Sequence, residues 1–426
     1  PAQESHAHVQ ANPGGGARRW NRRLLTNAAL GLPVGAAVAI AAAVLVPQPE
    51  KAVVPLPASS PSAIPAPTVP PPSPPPLEQL FVVVQAAPDR QPAVALGVRG
   101  DHILLVNRGG TVRNEARYGY VSPARFTNAA TIVQAQVQVA AGAAYYVDGD
   151  GVVWRLTASG PAMKAADFGK PGDQHVTNFA VSPDGQHLLA TVMTFGKPVD
   201  CGAGICTPFT EGPSYNYVLR ADLGGPTIEV SKTTIDPNAE GARILVVLGW
   251  DDVGPFGATD TALATQYPPP TGWNAHPGHI GPAGTVTDSL GGPDCTAQQV
   301  GAGGHVLCTI TGFESTDDVV RTAEGKTTWT LPPMLEPRQG MAVSPDGEQV
   351  AFLGLHEGSN PSAVYRHRNN PIQFRGDFLP LAWADNTTVV GYSAAPEKGV
   401  LALFGTTMQK LTLFPIPGYY GGVVNP

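Results

Sequence analysis

Short apolar segments separated by turn residues follow one another along the chain from about residue 80 to its end. The pattern is clearest in FAVSPDGQHLLAT (179–191) and MAVSPDGEQVAFL (341–353), where one apolar segment enters Ser-Pro-Asp-Gly and a second leaves it. Proline presets the first central position of a type I turn, Asp suits the second, and glycine takes the left-handed conformation that other residues resist. Each copy therefore predicts a β-hairpin. The predicted turn residues are Pro183, Asp184, Gly185, Pro345, Asp346 and Gly347.

Five weaker turns with the same flanking pattern are predicted around Gly100, Gly142, Asp252, Gly303–Gly304 and Asn386. Most successive turns lie roughly 40–50 residues apart, which is a period typical of small sheets repeated around an axis. Because each small sheet buries its faces only against its neighbours, such sheets must form a closed ring. The sequence predicts an all-β fold, a seven-bladed β-propeller, with six or eight blades as alternatives.

A closed ring needs its two ends joined, and two segments are candidates for this role. They are LEQLFVVVQ (77–85) and YYGGVV (419–424). We expect one of them, preferably the first, to supply the outer strand of the last blade and so to pair the two ends.

The blade pattern also resembles a known group of proteins. SPDG, a short apolar strand, and then an aromatic strand that ends in Asp-Leu-Gly-Gly (YNYVLRADLGG, 215–225) are similar to the blades of TolB-type propellers, relatives of the WD-repeat group. The resemblance covers the chain from about residue 80 onward and implies a propeller. TolB-type proteins are soluble and periplasmic, with a separate domain before the propeller, so a role in the Tol system does not follow.

The N-terminal residues have a different composition. Residues 1–23 are polar and end in RRWNRR, residues 24–46 carry no charge, and residues 47–76 are dense in proline. A 23-residue apolar helix can span a hydrocarbon core of about 30 Å, and the preceding arginines favour a cytoplasmic N-terminus. We therefore predict a cytoplasmic tail, a transmembrane helix, a stiff proline-rich linker, and a propeller at 77–426 outside the cytoplasm. A cleaved signal peptide and a buried helix are the alternatives.

This order of anchor, stalk and propeller resembles proteins of high-GC Gram-positive bacteria, the actinobacterial type. Such an arrangement places the propeller at the cell membrane, on the extracytoplasmic side.

Four cysteines occur, at Cys201, Cys206, Cys295 and Cys308. Outside the cytoplasm we expect disulfides, and the spacing favours Cys201–Cys206 and Cys295–Cys308 among the three possible pairings. The second pair is two residues away from the simplest register of its hairpin, an offset that a bulge or diagonal geometry can absorb. Free thiols and a zinc site are the alternatives, although the second spacing is too wide for a zinc motif.

Two motifs could bind metal ions, but each has a simpler interpretation. His276 and His279 stand three apart in a proline-rich loop without a third ligand nearby in sequence. Asp148 and Asp150 in VDGDG suggest a calcium loop, yet that motif requires further oxygen ligands and a terminal Glu. We expect solvated histidines, hairpin-turn aspartates and no bound metal or cofactor.

Paired carboxylates and two tryptophans complete the candidates. Asp251–Asp252 and Asp317–Asp318 are adjacent, and adjacent strand residues point to opposite faces, so neither pair is expected to form a catalytic dyad. Trp250 and Trp383 precede turns and are expected to pack between blades. No H-E-x-x-H, G-x-S-x-G or phosphate-loop motif is present.

The charge composition of the chain narrows the classes of partner that it could bind. The chain has 14% charged residues, a net charge of −7 and a pI of about 5.8, which argue against a nucleic-acid partner. We favour a monomeric propeller that acts as a non-enzymatic binding or scaffold module for a protein, peptide or envelope glycan. A hydrolase or lyase with its site in the central channel, and a transmembrane signalling protein, are the alternatives.

Overall fold

The structure is a computed structural model. The residues that it describes are 78–85, 102–119, 137–170, 175–194, 196–198, 210–235, 244–260, 276–301, 303–311, 316–332, 338–354, 362–374, 378–393, 400–405 and 410–425. These residues form strands and their connections, with no helix among them. Accordingly, the described part of the chain has no helix suited to crossing a membrane, and the predicted tail, transmembrane segment and linker lie outside it.

The described residues form 29 strands. In chain order they are β1 (Leu80–Gln85), β2 (His102–Asn107), β3 (Val112–Arg117), β4 (Val137–Ala140), β5 (Ala143–Val147), β6 (Val152–Leu156), β7 (Met163–Asp167), β8 (His175–Val181), β9 (His187–Thr194), β10 (Lys197–Pro198), β11 (Thr210–Glu211), β12 (Ser214–Asp222), β13 (Ile228–Ile235), β14 (Ile244–Trp250), β15 (Pro255–Asp260), β16 (Gly278–His279), β17 (Thr296–Val300), β18 (His305–Thr311), β19 (Thr316–Thr322), β20 (Thr327–Thr330), β21 (Arg338–Val343), β22 (Gln349–Gly354), β23 (Ser362–Arg366), β24 (Asn369–Phe374), β25 (Phe378–Asp385), β26 (Thr388–Ser393), β27 (Val400–Gly405), β28 (Lys410–Pro417) and β29 (Tyr419–Val424).

The strands form seven antiparallel sheets, which are the blades of a propeller, so the predicted all-β fold with seven blades is confirmed. From the channel outwards, blades 1 to 7 are β29-β1-β2-β3, β4-β5-β6-β7, β8-β9-β12-β13, β14-β15-β16, β17-β18-β19-β20, β21-β22-β23-β24 and β25-β26-β27-β28. The first strands of neighbouring blades contact one another around the axis at most of the blade junctions. A separate two-stranded hairpin, β10-β11, projects from blade 3 between β9 and β12.

The ring closes where the two ends of the propeller pair. β29 runs antiparallel to β1, from Leu80↔Val424 to Val84↔Tyr419. The expectation that one of these segments forms the outer strand of the last blade is wrong, because β29 is the innermost strand of blade 1 and β1 lies beside it. All six residues of β1 are buried. A strand that is apolar at nearly every position fits a place with neighbours on both edges and both faces, whereas an outer strand would face solvent.

Six of the predicted turns join the first and second strands of blades 2 to 7. These connections lie at 141–142, 182–186, 251–254, 301–304, 344–348 and 386–387. The seventh predicted turn, around Gly100, is not among these connections. β2, which begins at His102, pairs with β1, and residues 94–99 lie outside the described residues. In blade 1 no turn joins the first two strands, because these strands are β29 and β1, which come from the two ends of the propeller.

The two Ser-Pro-Asp-Gly turns repeat the same hydrogen bonds. Ser182 Oγ donates to Asp184 Oδ1 at 2.5 Å and accepts from the backbone N–H of His187 at 2.9 Å. The equivalent bonds of Ser344 measure 2.6 and 2.9 Å. The motif therefore closes its hairpin through local side chain-to-backbone bonds, which explains why it is recognisable in sequence.

Glycine is required in these turns for two reasons. Gly185 and Gly347 both have a φ of 72°, in the left-handed region. In addition, a Cβ atom on Gly185 would lie 2.7 Å from Tyr145 Oη, and one on Gly347 would lie 2.5 Å from the ring of His305. Tyr145 and His305 belong to the preceding blades, so the turn glycines also let adjacent blades approach closely.

Side chains that cross between blades also satisfy the innermost strands, each of which pairs on one edge only. Asn216 of blade 3 accepts from the N–H of Leu245 and donates to its C=O, both at 3.2 Å. Trp383 Nε1 of blade 7 donates to the C=O of Ala342 in blade 6 at 2.8 Å. Buried backbone groups need such partners, so these bonds help to hold adjacent blades together.

Alanine substitutions at Gly347 and Gly304 should separate the cost of the left-handed backbone from the cost of close packing against the preceding blade. Gly304→Ala tests φ alone, because Gly304 has a φ of 75° and no other atom lies within 4 Å of the place that an added methyl group would take. We expect Gly304→Ala to cost about 1 kcal/mol of unfolding free energy, the usual penalty of a left-handed non-glycine residue. Gly347→Ala should cost at least about 1 kcal/mol more, because overpacking against His305 adds to it. Urea denaturation of the two variants measures the difference, and equal losses would contradict the packing argument.

Candidate functional site

The structure joins Cys295 and Cys308 by a disulfide at the interface of blades 4 and 5. Cys308 faces Ala297 across the β17–β18 pair, two residues from Cys295, so the bond crosses the hairpin diagonally. The register also shifts between Ala297 and Gln299. Gly291 packs against both sulfur atoms, since a Cβ there would lie 2.7 Å from each. Cys201 and Cys206 lie outside the described residues.

Replacing both cysteines with alanine, Cys295→Ala/Cys308→Ala, should lower the unfolding free energy by roughly 3 kcal/mol, the loop-entropy contribution of a cross-link of this span. The measurement is urea denaturation with and without reductant. Any effect of reductant that persists in the variant belongs to Cys201 and Cys206. A variant as stable as the wild type in the absence of reductant would contradict the prediction.

The structure separates the two histidines that were considered as a metal pair. His276 Nδ1 lies 2.8 Å from the carbonyl oxygen of Cys295. His279 instead lies between two carboxylates that the sequence places 28 and nine residues away, Asp251 and Asp288. Among the described residues, no group of three or more His, Cys, Asp or Glu side chains is arranged to hold a metal ion.

Both nitrogens of His279 face a carboxylate. Nδ1 is 2.6 Å from Asp288 Oδ2, and Nε2 is 3.0 Å from Asp251 Oδ2. Only the doubly protonated imidazolium can donate hydrogen bonds through both nitrogens. No ring nitrogen is left to accept a proton from a substrate, so the arrangement is suited to cross-linking chain segments rather than to general base catalysis.

The pKa values of this cluster agree with a charged histidine. Burial acts to lower the pKa of His279, but the hydrogen bonds and charges of Asp288 and Asp251 outweigh it, so the pKa lies above its ordinary value. For Asp288, burial acts to raise the pKa, and the bond to His279 brings the pKa below its usual value.

The aspartates of VDGDG lie in the turn between β5 and β6. Asp148 Oδ1 accepts from the backbone N–H groups of Asp150 and Val152 at 2.9 and 3.0 Å. Its other oxygen accepts from Trp154 Nε1 at 2.7 Å. The carboxylate of Asp148 is thus engaged in holding the turn and the tryptophan, which is the hairpin-turn role expected for it.

The remaining residues considered in the sequence, the paired aspartates of β19 and the two tryptophans, lie in separate places in the structure. Asp318 accepts from Thr309 Oγ1 at 2.8 Å on β19, whereas Asp317 is exposed. Trp250 packs against an apolar cluster shared by blades 3 and 4, and Trp383 is buried between blades 6 and 7. None of these side chains joins a shared site in the described part of the chain.

A shallow, open cleft lies between the outer parts of blades 2 and 3. It has a volume of about 540 Å³ and is lined by Lys164–Asp167 and Gly224–Thr227. Exposed apolar side chains flank it: Met163 is 53% exposed and Ile228 is 48% exposed. They are two of the three large hydrophobic residues that are exposed in the described part of the chain, the third being Val253 on blade 4.

Tyrosines and lysines continue this surface along blade 3. Lys232 Nζ lies 3.9 Å from the ring centroid of Tyr215 and 5.2 Å from that of Tyr217. Lys170 lies 4.5 Å from the Tyr217 ring and forms an ion pair with Glu229 at 3.1 Å. Tyrosines with a polar tip and a large apolar body are frequent in binding surfaces. We call the cleft, its two exposed hydrophobic residues and these tyrosines and lysines the blade 2/3 surface.

Unequal strand lengths produce the blade 2/3 surface. The outer strands of blade 3, β12 and β13, have nine and eight residues, whereas the facing outer strand of blade 2, β7, has five. The alternation of Tyr215 and Tyr217 in YNY places both rings on one face of β12, next to Lys232 on β13. This alternation was the only signal in the sequence, and the approach of Lys170 from blade 2 could not be read from it.

Comparisons with known proteins find structural neighbours only. No protein-family model and no curated protein matches the chain. Among solved structures, TolB from Acinetobacter baumannii is 10% identical, with a TM-score of 0.33, over 81% of this chain and 67% of TolB. Oligogalacturonate lyase from Vibrio parahaemolyticus is 11% identical, with a TM-score of 0.42, over 76% of this chain and 90% of the lyase.

A functionally unknown protein from Desulfotomaculum acetoxidans is 12% identical, with a TM-score of 0.44, over 81% of this chain and 98% of that protein. At these identities and TM-scores the likeness concerns the fold alone. TolB and oligogalacturonate lyase are thus structural neighbours of this seven-bladed β-propeller, whose blades are defined by its own sheets, and its function has to be argued from its own residues.

Proposed function

We propose that this chain is a membrane-anchored, extracytoplasmic propeller that binds a protein or peptide partner without catalysing a reaction. The observation that carries the proposal is the blade 2/3 surface, where a cleft is bordered in sequence by two exposed aliphatic side chains, Met163 and Ile228, and the same outer strands of blade 3 carry two partly buried tyrosines. Exposed hydrophobic groups cost free energy in water, and their clustering beside a concave feature is typical of interaction sites.

The chemistry of the surface favours a polypeptide over a glycan. Met163 and Ile228 are aliphatic and suit the apolar side chains of a peptide, while sugars bind mainly through hydroxyl groups and aromatic stacking. Lys164 and Lys170 are paired with Asp167 and Glu229. Lys232, by contrast, has no carboxylate partner within the described residues, so a partner with a carboxylate near this point would match it.

Substitutions on the surface test the proposal in the full-length protein. In Met163→Asp/Ile228→Asp we expect capture of peptides from a displayed random library to fall at least about tenfold, which corresponds to about 1.4 kcal/mol of binding free energy. Val253→Asp is the matched control, because Val253 is 77% exposed but lies on another blade. Binding of selected peptides is measured by surface plasmon resonance.

Three results would count against this function. The double variant could bind as the wild type does, or Val253→Asp could weaken binding equally, which would show that the blade 2/3 surface is not responsible. Selective binding to envelope glycan fragments, with no peptide selected, would favour the glycan alternative instead.

The anchor and the side of the membrane rest on residues 18–46, namely the arginines of RRWNRR and the uncharged segment after them. The buried disulfide of Cys295 and Cys308 supports the same compartment, since structural disulfides persist mainly outside the cytoplasm.

Labelling with a membrane-impermeant maleimide tests this topology. We expect Val253→Cys to be labelled in intact cells, because its side chain is exposed and the propeller is proposed to be extracytoplasmic. Ser5→Cys, in the proposed cytoplasmic tail, should be labelled only after lysis. The wild-type protein gives the background from its native cysteines, and protection of Val253→Cys in intact cells would refute the proposed topology.

A further inference from the structure

Blade 4 differs from the other blades in how its outer part is held. Its third strand, β16, has two residues, with Phe256↔His279 and Gly257↔Gly278 as its only pairings to β15 in the described residues. The other six blades have four strands among the described residues. So short a ladder contributes few hydrogen bonds, and the residues around β16 need other contacts to stay on the blade.

His279 supplies these contacts through both edges of its ring. Its Nε2 reaches Asp251 in the turn between β14 and β15, at 3.0 Å. Its Nδ1 reaches Asp288 in the segment that returns after β16, at 2.6 Å. The ring is 13% exposed, and this one side chain links the turn, β16 and the returning segment. Backbone hydrogen bonds from Ile280 to Pro255 and from Leu290 to Pro277 hold the same residues, but they do not reach the turn at Asp251.

The carboxylates are held in place independently of the ring. Asp251 Oδ1 accepts from the backbone N–H groups of Val253 and Gly254, at 2.9 and 3.0 Å. Asp288 Oδ1 accepts from the backbone N–H of His279 at 2.6 Å. Because neither carboxylate can turn away without losing these bonds, the contacts depend on the protonation state of the ring.

A neutral imidazole has one N–H donor, so it cannot donate to both carboxylates. The charged groups that face the ring are Asp251 from the turn and Asp288 from the returning segment. The residues of β15 that pair with β16, Phe256 and Gly257, are uncharged. Loss of the proton thus leaves one carboxylate facing a nitrogen lone pair, and among the described residues Asp251 and Asp288 are the charged groups that act on the ring.

We propose that His279 is a pH-sensitive brace, and that its deprotonation releases residues 276–290 from the turn at Asp251. The direction follows from linkage, since the pKa of His279 is raised on folding. The contribution of the brace is complete below about pH 6.5, the unperturbed histidine value, and is lost as the pH rises through the raised value. An exposed pair such as His187–Asp222, where one nitrogen meets one carboxylate, lacks this linking geometry.

Hydrogen–deuterium exchange of the full-length protein in detergent tests the brace. Between pH 5 and 9, after correction for intrinsic exchange, we expect protection of residues 276–290 to fall. The fall should be about tenfold for each unit by which the pKa is raised. Protection of residues 137–170 in blade 2 should stay constant over the same range and serves as the internal reference.

Two variants link the change to the ring. His279→Gln should have low protection of residues 276–290 at every pH, whereas the control His187→Gln should keep the wild-type profile. Asp288→Asn retains the acceptor for the backbone of His279 but removes a charge, so the midpoint should move to lower pH. A pH-independent wild-type profile, an unchanged profile in His279→Gln, or an unmoved midpoint in Asp288→Asn would each overturn the proposal.

Discussion

Pairing between the two ends of the propeller is the interaction on which the rest of the structure depends. Each blade buries its faces only against its neighbours, so an open ring would expose one face of blade 1 and one face of blade 7. β29 and β1 remove that exposure by becoming adjacent strands of the same blade. Because β1 is apolar at nearly every position and buried throughout, it suits a place beside the innermost strand rather than an outer edge.

Individual contacts between adjacent blades also position each blade. The turn glycines admit side chains of the preceding blade, and polar side chains such as Asn216 satisfy the backbone of the next innermost strand. Each blade is therefore positioned by its neighbour as well as by its own hydrogen bonds. Blade 4 is the exception in its outer part, where an ionic cluster around His279 supplements a short strand pairing.

The candidate binding surface and the His279 cluster arise from departures from the blade repeat. The outer strands of blade 3 are longer than the outer strand of blade 2, and they carry two partly buried tyrosines beside lysines. A short third strand in blade 4 leaves a segment that needs side chains to hold it. Regular blades provide the frame, and the irregular ones carry the candidate surface and the His279 cluster.

The sequence alone determined the all-β class and the hairpins at Ser-Pro-Asp-Gly, and it favoured seven blades over six or eight, because turn chemistry is local and depends on adjacent residues. Only the tertiary structure decided which terminal strand is innermost, and which side chains meet. His279 joins a carboxylate 28 residues away, and Tyr217 meets Lys170 from the neighbouring blade. Such contacts depend on strand lengths and on the angle between blades, which no local pattern of apolar and polar residues encodes.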